Sequence, residues 1–480
     1  MDVNCATAGI DAYVPNGGAP WNTARVQHLY RRLGYGASHS DIQRALAQSP
    51  AATVDALIDQ AAARPLPDPP VWADWTHEQF VAADQEPFEA FKTYMTDFVD
   101  RGIEYGVREK LTLFWHGHFV TKYESHSCPS YHHQYWTALT EGTFGNFRDF
   151  VLAITRTPAM LFYLNGFENR RESPNENYAR ELFELFTLGE NNGYTQNDIT
   201  EASRALTGWN QWTAYCGEVK WADWGHDNTS KTIFGRSGNY DDAALVDLLF
   251  EERADDIAGF VCEKLYRAFV NPNVDSGIVQ ALATTFVAAD FELLPVYRQL
   301  FRSAHFFHAA NLGVQIKTPL EMMSFFLREG AFGDFENRKD WGIYGIATLG
   351  QYLGEPPDVA GWPGGRSWID SNRLTLRWEF MDGFTWAVHN EDQTTYPTWA
   401  KQLTDESRDP AVITRAIADF FVPRGLASEA AYTTAVTVLR WEVPANYYET
   451  GQWSLDWDSA SWQITLLLRH LCRLPEFHLT

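Results

Sequence analysis

The sequence predicts a mainly α-helical protein: a large helical domain with long Gly/Pro/Trp-rich loops and at most a small β-hairpin. Apolar residues recur at three- and four-residue steps over long stretches, as they do in amphipathic helices. Within residues 78–116 this pattern is carried by Phe80, Phe88, Phe91, Tyr94 and Phe98. Strand signals are weak, and the chain shows no internal repeat and no low-complexity segment. Helical periodicity therefore sets the expected fold class.

Helix-start signals support this fold class. The segments 173–176 (SPNE) and 318–321 (TPLE) each place Ser or Thr at the N-cap, Pro at the first helical position and Glu at the third. This order is a capping box, in which the two side chains satisfy backbone N–H groups that the helix leaves free. Residues 195–198 (TQND) form a weaker version that ends in Asp. We expect three helices to begin at these segments.

The predicted elements follow the chain in order. The Pro-rich stretch 65–71 and the Gly/Pro/Trp-rich stretch 340–380 are expected to be loops, and short strands are expected at 215–221 and 230–235. Helices are expected at 23–34, 39–63, 78–116, 131–141, 146–155, 158–164, 174–188, 196–207, 241–271 (broken near Ala254), 275–331, 411–421, 427–440 and 458–473. The expected organisation is an N-terminal tail (1–22), a helical core domain that carries the motifs (23–339), and a loop with C-terminal helices packed on that core (340–480).

Composition and missing motifs exclude several classes of function. The 480 residues include 38 basic and 62 acidic side chains, which gives a formal net charge of −24. This charge repels phosphate backbones and anionic lipids, so nucleic acid is not an expected partner. No window reaches 18 apolar residues, so no membrane-spanning helix is expected. The chain also lacks a P-loop, a dinucleotide-binding glycine motif, a G-x-S-x-G elbow and an H-E-x-x-H zinc motif.

The five scattered cysteines are too few for a disulfide scaffold. One long-range disulfide, for example between Cys128 and Cys216, is compatible with an exported protein, but the sequence leaves the pairing open. The first 21 residues have neither a basic start nor an apolar stretch, so they do not predict a signal peptide. The residues alone therefore leave the compartment undecided.

The first candidate site is the segment 114–119 (FWHGHF). Gly117 predicts that a helix ends between His116 and His118, which would let both imidazoles point inward. Neutral imidazole is the commonest metal ligand in proteins. His116, His118 and the carboxylate of Glu181 are therefore the predicted ligands of one divalent metal ion. The alternative is that both histidines are structural residues between aromatic neighbours.

The second candidate site lies on the predicted helix 174–188. Glu181 and Glu184 are three residues apart and share one side of a helix. Either carboxyl would be a catalytic general acid or base if burial shifted its pKa. Arg180 and Arg204 are candidates for binding an anionic group of the substrate. The alternative is an ion-paired helix face in which these arginines neutralise the glutamates.

The third candidate site is the loop 221–231. His226 and Asp227 offer a catalytic base or a pair of ligands, Trp224 offers a wall, and Lys231 offers a cation for the substrate. Loops carry functional residues more often than packed elements do. The alternative is a turn in which Asp227 binds its own backbone.

The fourth candidate site is the loop 356–368 (PPDVAGWPGGRSW). Trp362 and Trp368, together with Trp209, are predicted to line the walls of a site for a flat ligand, because 19 tryptophans exceed what a core needs. Arg377 is a further predicted substrate-binding residue. The alternative is a structural loop packed by its own aromatic side chains.

Taken in order along the chain, these motifs resemble a known family. The matching segments are LYRRLGYGAS (29–38), LTLFWHGHF (111–119), the motif-bearing stretch 175–209, HDNTSKTIFG (226–235), KTPLEM (317–322) and PPDVAGWPGG (356–365). They resemble the bacterial family catalogued as domain of unknown function 1800, over roughly residues 25–475. The resemblance implies an exported protein, often encoded beside a sulfatase-like uncharacterised family from which a partner is expected. It implies no settled activity.

The leading hypothesis is an exported hydrolase that acts on a polysaccharide or related glycan in an acidic, aromatic-lined cleft, with a divalent metal as its expected cofactor. A metal-free alternative pairs Glu181 with Asp227 on a glycosidic bond. A non-enzymatic alternative is a carbohydrate-binding or cell-surface scaffold protein whose motifs determine the fold. Convergence of His116, His118, Glu181 and Asp227 on one pocket would favour the enzyme, and dispersal would favour the scaffold.

Overall fold

The computed structural model describes residues 8–212, 214–332 and 339–480. These residues form a mainly α-helical protein, which confirms the predicted fold class. The α-helices are, in chain order, α1 (Thr23–Leu33), α2 (His39–Leu46), α3 (Pro50–Ala63), α4 (His77–Ala82), α5 (Pro87–Tyr105), α6 (Val107–His118), α7 (Pro129–Gly142), α8 (Phe147–Thr155), α9 (Pro158–Tyr163), α10 (Asn177–Glu181), α11 (Gln196–Ala205), α12 (Asp242–Glu252), α13 (Ala254–Phe269), α14 (Ser276–Ala288), α15 (Leu293–Arg302), α16 (Pro319–Gly330), α17 (Lys339–Thr348), α18 (Ser371–Glu391), α19 (Thr395–Thr404), α20 (Pro410–Phe421), α21 (Glu429–Leu439), α22 (Ala445–Glu449) and α23 (Ala460–Cys472).

The β-structure of the described residues consists of two short antiparallel ribbons. Strand β1 (Gln211–Trp212) pairs with β2 (Val219–Lys220), and β3 (Lys231–Ile233) pairs with β4 (Arg236–Gly238). Strand β2 lies within the predicted strand 215–221, and β3 lies within the predicted strand 230–235. Because β2 pairs with β1 and β3 pairs with β4, the two predicted strands do not pair with each other. Both ribbons lie between α11 and α12.

Several long segments differ from the sequence prediction: the single helix predicted at 39–63 is two helices (α2 and α3), and the one predicted at 78–116 is three (α4, α5 and α6). The predicted helix 275–331 is divided into α14, α15 and α16, because Asp290 and Phe291 have positive φ angles of 49° and 63° and end the first helical run. The predicted loop 340–380 contains α17 and the start of α18. Asp370 caps α18 by accepting the N–H groups of Asn372 at 2.9 Å and Arg373 at 2.7 Å, a start signal hidden within the glycine-rich stretch.

The three predicted helix starts have different outcomes. The capping boxes at Thr318 and Thr195 are both formed. The box predicted at Ser173 is wrong, because α10 begins only at Asn177. Glu176, instead of reaching back to a cap, accepts hydrogen bonds from the side chains of Thr200 at 2.7 Å and Gln196 at 2.7 Å. After α10 the chain continues as a π-helical turn, Leu182–Thr187.

The ends of the chain pack on the helical core. Within the predicted tail, Tyr13 is buried and its main-chain N–H donates to the carbonyl of Arg302 at 2.7 Å, while residues 1–7 lie outside the described residues. One hydrophobic cluster includes Val26, Phe326 and Phe477, which come from both sides of the predicted domain boundary at 339/340. Of the described residues, no helix is long and apolar enough to cross a membrane.

A disulfide joins Cys128, just before α7, to Cys216, in the loop between β1 and β2, with a Cα–Cα distance of 5.7 Å. This is one of the pairings that the sequence left open. Cys262 and Cys472 are buried free thiols, and Cys5 lies outside the described residues. The disulfide ties the segment between α11 and α12 to the start of α7, the helix that carries His132 and Tyr135.

Replacing both Cys128 and Cys216 by Ala is expected to lower the free energy of unfolding by about 2–5 kcal/mol, because the bond spans 88 residues of sequence and restricts the unfolded chain. Urea denaturation followed by circular dichroism measures the loss. Adding a reductant to the wild type should produce a similar loss, and the double variant should not respond to the reductant. Equal stability of the double variant and the oxidised wild type would contradict the expectation.

Candidate functional site

His118, at the end of α6, is bonded into the fold through both of its ring nitrogens. Its Nε2 lies 2.9 Å from the carbonyl of Phe186, and its Nδ1 lies 3.2 Å from Nζ of Lys264. Because a carbonyl only accepts, Nε2 carries the proton and Nδ1 accepts from the lysine. Lys264 also donates to the carbonyl of Leu185 at 2.9 Å. His118 and Lys264 therefore donate hydrogen bonds to two carbonyls at the end of the π-helical turn. The turn itself leaves these carbonyls without a partner.

His116 is a neutral, fully buried histidine. Its Nδ1 lies 2.8 Å from the hydroxyl of Tyr135, which donates its own proton to the carbonyl of Phe119 at 2.6 Å, so Nδ1 must be the protonated nitrogen. Burial lowers the pKa of His116 to about 3. Its ring packs against Trp136 at 4.6 Å and Trp362 at 5.4 Å. His116 is therefore packed in the core through its ring and Nδ1, while its Nε2 is buried without a hydrogen-bond partner among the described residues.

The residues predicted as metal ligands are not brought together. His118 has no free nitrogen, and His116 faces Tyr135 and two tryptophan rings. Among the residues that the structure describes, no three His, Cys, Asp or Glu side chains are grouped so that they could hold a metal ion. The donor set of His116, His118 and Glu181 therefore does not fit a metal site.

The acidic face of α10 is partly an ion-paired helix face, as the alternative prediction held. Arg180 bonds Glu184 at 3.2 Å and Glu176 at 3.1 Å. Glu181 is different: it is half-buried, and burial together with the charge of Glu184 raises its pKa. Glu181 is therefore the carboxyl predicted on this helix whose pKa is raised. Arg180 forms its ion pairs with Glu176 and Glu184 instead.

The loop residues predicted as catalytic or substrate-binding are held by the fold. Asp227 pairs with Nε of Arg204 at 2.7 Å, and despite burial the hydrogen bonds from Arg204 and Thr229 keep the pKa of Asp227 well below its usual range. Nδ1 of His226 lies 2.8 Å from the carbonyl of Thr207. Lys231 is fully buried, and its ammonium donates to the carbonyl of Asp227 and, at 3.1 Å, to that of Thr229. These contacts make a closed network between α11 and β3.

The predicted aromatic walls are dispersed. Trp209 donates from Nε1 to Asp242 at 2.9 Å, Trp362 packs on His116, Trp368 is buried, and only Trp224 of the four is exposed. Arg377 is also buried, where it bonds the carbonyl of Lys317 at 2.9 Å. None of the four cavities described for residues 8–212, 214–332 and 339–480 is lined by His116, His118, Glu181 or Asp227, so their convergence on one pocket stays a prediction.

Two of the predicted motifs do meet, at Gly361 and Gly117. A side-chain Cβ at Gly361, whose φ is +85°, would lie only 2.7 Å from the carbonyl oxygen of Gly117. A glycine is required there, because the loop 356–368 approaches the end of α6 through its backbone. Beside this contact, Nζ of Lys122 donates to the carbonyl of Pro357 at 2.7 Å.

A groove of about 420 Å³ opens next to this junction. Aromatic side chains of Phe88, Tyr123 and Tyr352 line it, together with two carboxyls, Glu124 and Glu355. Phe88 is 47% exposed, so its ring is available to a ligand. The groove has the composition that the sequence predicted for a cleft, acidic and aromatic, but it is built from other residues.

Glu355 has the most perturbed carboxyl of the groove. One of its oxygens, Oε1, accepts the main-chain N–H of Glu124 at 2.7 Å, which fixes the side chain. Burial, with a contribution from the negative charge of Glu124, raises the pKa of Glu355 to about 7. At neutral pH this side chain is therefore protonated in about half of the molecules, as a general acid would need to be.

Tyr163, at the end of α9, has a hydroxyl whose pKa is perturbed. Burial and the charges of Asp358, Glu181 and Glu355 raise the pKa of the Tyr163 hydroxyl to about 12. The tyrosine therefore lies within electrostatic reach of all three carboxyls. Glu181, the first residue predicted for catalysis, does not line the groove.

A family model described as a protein of unknown function (DUF1800) matches residues 28–479, nearly the whole chain. The chain belongs to this family. No curated protein and no solved structure is significantly similar to it. Pro356 and Pro357, from the loop 356–368, line the groove of this DUF1800 protein.

Sequence reasoning missed the groove residues of this DUF1800 protein. Glu355 directly precedes Pro356 and Pro357, and a residue before proline is restricted to extended conformations, which aids the fixing of its side chain. The sequence signal that could have identified Glu355 was an acidic residue at the start of a proline-rich loop. Glu124 and Tyr352 lie outside the quoted motifs and gave none.

Proposed function

We propose that this DUF1800 protein is an exported glycoside hydrolase that binds a glycan in the groove between Phe88 and Tyr352. The observation that carries the proposal is the half-buried, immobilised carboxyl of Glu355 beside aromatic rings and a second carboxyl. Glycoside hydrolysis commonly uses two carboxyls, one of them kept protonated by its surroundings. Rings of Phe, Tyr and Trp present flat apolar faces that pack against the C–H faces of sugars.

Glu355 would donate its proton to the glycosidic oxygen as the bond to the anomeric carbon breaks. Glu124, the second carboxyl lining the groove, would accept the proton of the water that attacks that carbon. The water oxygen forms the new bond to carbon, the leaving sugar keeps the proton from Glu355, and exchange with solvent restores both carboxyls. The roles assigned to Glu181 and Asp358 are electrostatic, because negative charge near the groove stabilises the positive charge that develops on the sugar.

Export is the compartment that we propose. The Cys128–Cys216 disulfide supports it, because disulfides form and persist in oxidising environments and are rare in the cytosol. A net charge of −24 also suits a neutral or basic glycan better than a polyanion.

The test is to incubate the purified full chain with a panel of neutral, uronic and sulfated polysaccharides and to measure new reducing ends and product masses. On a cleaved glycan, Phe88→Ala is expected to raise KM about fivefold, because one stacking surface is lost. Trp441→Ala is the matched control, because Trp441 is also exposed, at 60%, and does not line the groove. Absence of new reducing ends with every glycan of the panel would refute hydrolysis.

A glycan-binding protein without turnover is the second candidate. The observation that favours it is that the polar side chains of the 221–231 loop and both histidines of α6 are hydrogen-bonded into the fold. The same panel separates the two functions. Saturable binding that Phe88→Ala weakens, without any new reducing ends, would identify the groove as a binding site only.

A further inference from the structure

Two buried histidines pack against the residues that form the groove. His126 lies between the groove-lining residues Glu124 and Ser127 and is 2% exposed. His132, on α7, is 1% exposed, and the two ring centroids are 6.4 Å apart. Tyr123, which also lines the groove, contacts both rings, at 5.6 Å from His126 and 6.0 Å from His132. One wall of the groove is therefore packed on this pair of histidines.

His132 occupies a position that suits an apolar ring. Phe91 meets it edge-on at 4.8 Å, and Trp136 is stacked on it at 5.2 Å. Neither Nδ1 nor Nε2 of His132 has a hydrogen-bond partner among the described residues. Burying a polar ring without partners costs free energy that a phenyl ring in the same position would not cost. Packing alone therefore does not explain an imidazole here.

His126 has one partnered and one unpartnered ring nitrogen. Its Nδ1 accepts the main-chain N–H of Cys128 at 3.1 Å, while its Nε2 is buried without a partner in the described part of the chain. The hydroxyl of Tyr215 donates to the carbonyl of His126. Burial lowers the pKa of His126 to about 3, and burial together with the charges of neighbouring histidines lowers the pKa of His132 well below its usual range. Both rings are therefore neutral in the folded protein.

The side chains that face the pair provide no counter-ion for a proton. The titratable groups around the two rings are those of His116, His133, Tyr94, Tyr123, Tyr131 and Tyr135. Charged side chains act on these neighbours instead: Asp74 on His133, Glu86 and Glu355 on Tyr123, and Arg101 and Asp97 on Tyr94. Within residues 8–212, 214–332 and 339–480, no carboxylate contributes to the pKa of His126 or His132.

The backbone that covers the pair also shapes the groove. The N–H of Tyr123 donates to the carbonyl of Gly354 at 3.0 Å. A Cβ at Gly354 would lie 3.0 Å from Cε1 of His132, so this backbone lies against the imidazole. Separation of the segment 123–127 from Gly354 would admit water to both rings. It would also break the hydrogen bond that fixes Glu355, which opens the groove.

We propose that His126 and His132 act as a pH switch that opens the groove in acid. At neutral pH the uncharged rings keep the segment 123–127 packed on α7. In acid the rings bind protons only when that segment separates, so protonation favours the open form. The proposal does not depend on hydrolysis in the groove, because it concerns the position of this segment alone.

Glu355 opposes the two histidines, and the balance gives the size of the effect. A histidine that stays neutral in the closed form and has its ordinary pKa near 6.5 in the open form favours opening about 25-fold more at pH 5 than at pH 7, so the pair contributes about 600-fold. The carboxyl of Glu355, with a pKa of about 7 in the groove, releases a proton on opening, which disfavours opening about 40-fold over the same range. The opening constant of the wild type should therefore rise about 15-fold.

Hydrogen–deuterium exchange of the full chain at pH 7 and pH 5, corrected for the intrinsic exchange rate at each pH, measures the opening of residues 122–128. In the wild type these amides should exchange about 15-fold faster at pH 5 and return to the slower rate after neutralisation. His132→Phe keeps a ring in place and should cancel the increase. His126→Asn, whose amide oxygen replaces Nδ1 as the acceptor for Cys128, should do the same. In the double variant acid should instead slow the exchange about 40-fold, because Glu355 then titrates alone.

His77→Asn is the matched control, because His77 is exposed and should leave the acid response of residues 122–128 unchanged. Helix α14, which contains no histidine, reports global unfolding in the same experiment. Circular dichroism shows whether each variant folds, and either single variant suffices if the other does not fold. No acceleration of residues 122–128 in the wild type, an acid increase that persists in the double variant, or an equal acceleration of α14 would each overturn the proposal.

Discussion

Replacing Glu355 by Gln is expected to lower kcat on a cleaved glycan by about a hundred- to ten-thousandfold, the usual contribution of a positioned general acid. Gln has the same shape and its amide oxygen still accepts the N–H of Glu124, so the geometry of the groove is retained. The catalytic proton is what the variant lacks. Reducing-end assays of both proteins on the same glycan measure the ratio.

The pH profile should identify the same group. Because the protonated carboxyl is required and the pKa of Glu355 is raised to about 7, wild-type kcat/KM should fall about tenfold per pH unit above that value. Lys122→Met removes a neighbouring positive charge, which raises the pKa of Glu355 and should move this fall to higher pH. A fall at unchanged pH in that variant would contradict the assignment of Glu355.

The stability that Glu355 gives the wild type should also fall as pH rises. A carboxyl whose pKa is raised by folding favours the folded state fully below its unfolded pKa near 4.5, and this contribution is lost as pH rises through about 7. Glu355→Gln has no such titration, so its stability relative to wild type should increase between pH 4 and pH 8. Urea denaturation at both pH values measures this change, and it separates the variant from one that is simply misfolded.

Replacing Glu329 by Gln is expected to lower the free energy of unfolding by about 3–5 kcal/mol, the cost of breaking a buried ion pair from one side. Glu329, on α16, accepts two hydrogen bonds from Arg31 of α1, at 2.5 Å and 2.7 Å. The side chains are 0% and 1% exposed. Without the carboxylate, the charge of Arg31 stays in the protein interior uncompensated.

The matched control for that variant is Glu218→Gln. Glu218 pairs with Lys220 at 2.7 Å, but the two side chains are 70% and 50% exposed, and such surface pairs contribute about 0–1 kcal/mol. Urea denaturation of the three proteins gives the comparison. A loss for Glu329→Gln no larger than that for Glu218→Gln would show that the pair between α1 and α16 does not stabilise the fold.

Local sequence signals predicted the helices better than their ends. Thr318 and Thr195 form the predicted capping boxes because the residues that complete each box lie within one helical turn. At Ser173 the same signal fails, because Thr200 and Gln196 of α11 take the carboxylate of Glu176. These hydrogen bonds come from residues about twenty positions away in sequence, so a pattern of four adjacent residues cannot predict them.

The candidate site was harder to predict for the same reason. The residue types of the motifs suggested chemistry, but the structure gives both nitrogens of His118 and the carboxylate of Asp227 to partners within the fold. For Glu181 the sequence predicted a carboxyl with a burial-shifted pKa, and the pKa is raised, because its helix and its apolar neighbours are local. Glu355 was not, because its environment is made by Glu124 and the burial that packing provides.

The contacts that shape the groove have a consequence for folding. The bonds from Glu124 to Glu355 and from Lys122 to Pro357 join residues that are 231 and 235 positions apart in the chain. Contacts this distant in sequence carry a large loop-closure entropy and form late, after local helices are in place. The groove is therefore expected to be among the last parts of the molecule to assemble, and no fragment ending before residue 355 contains it.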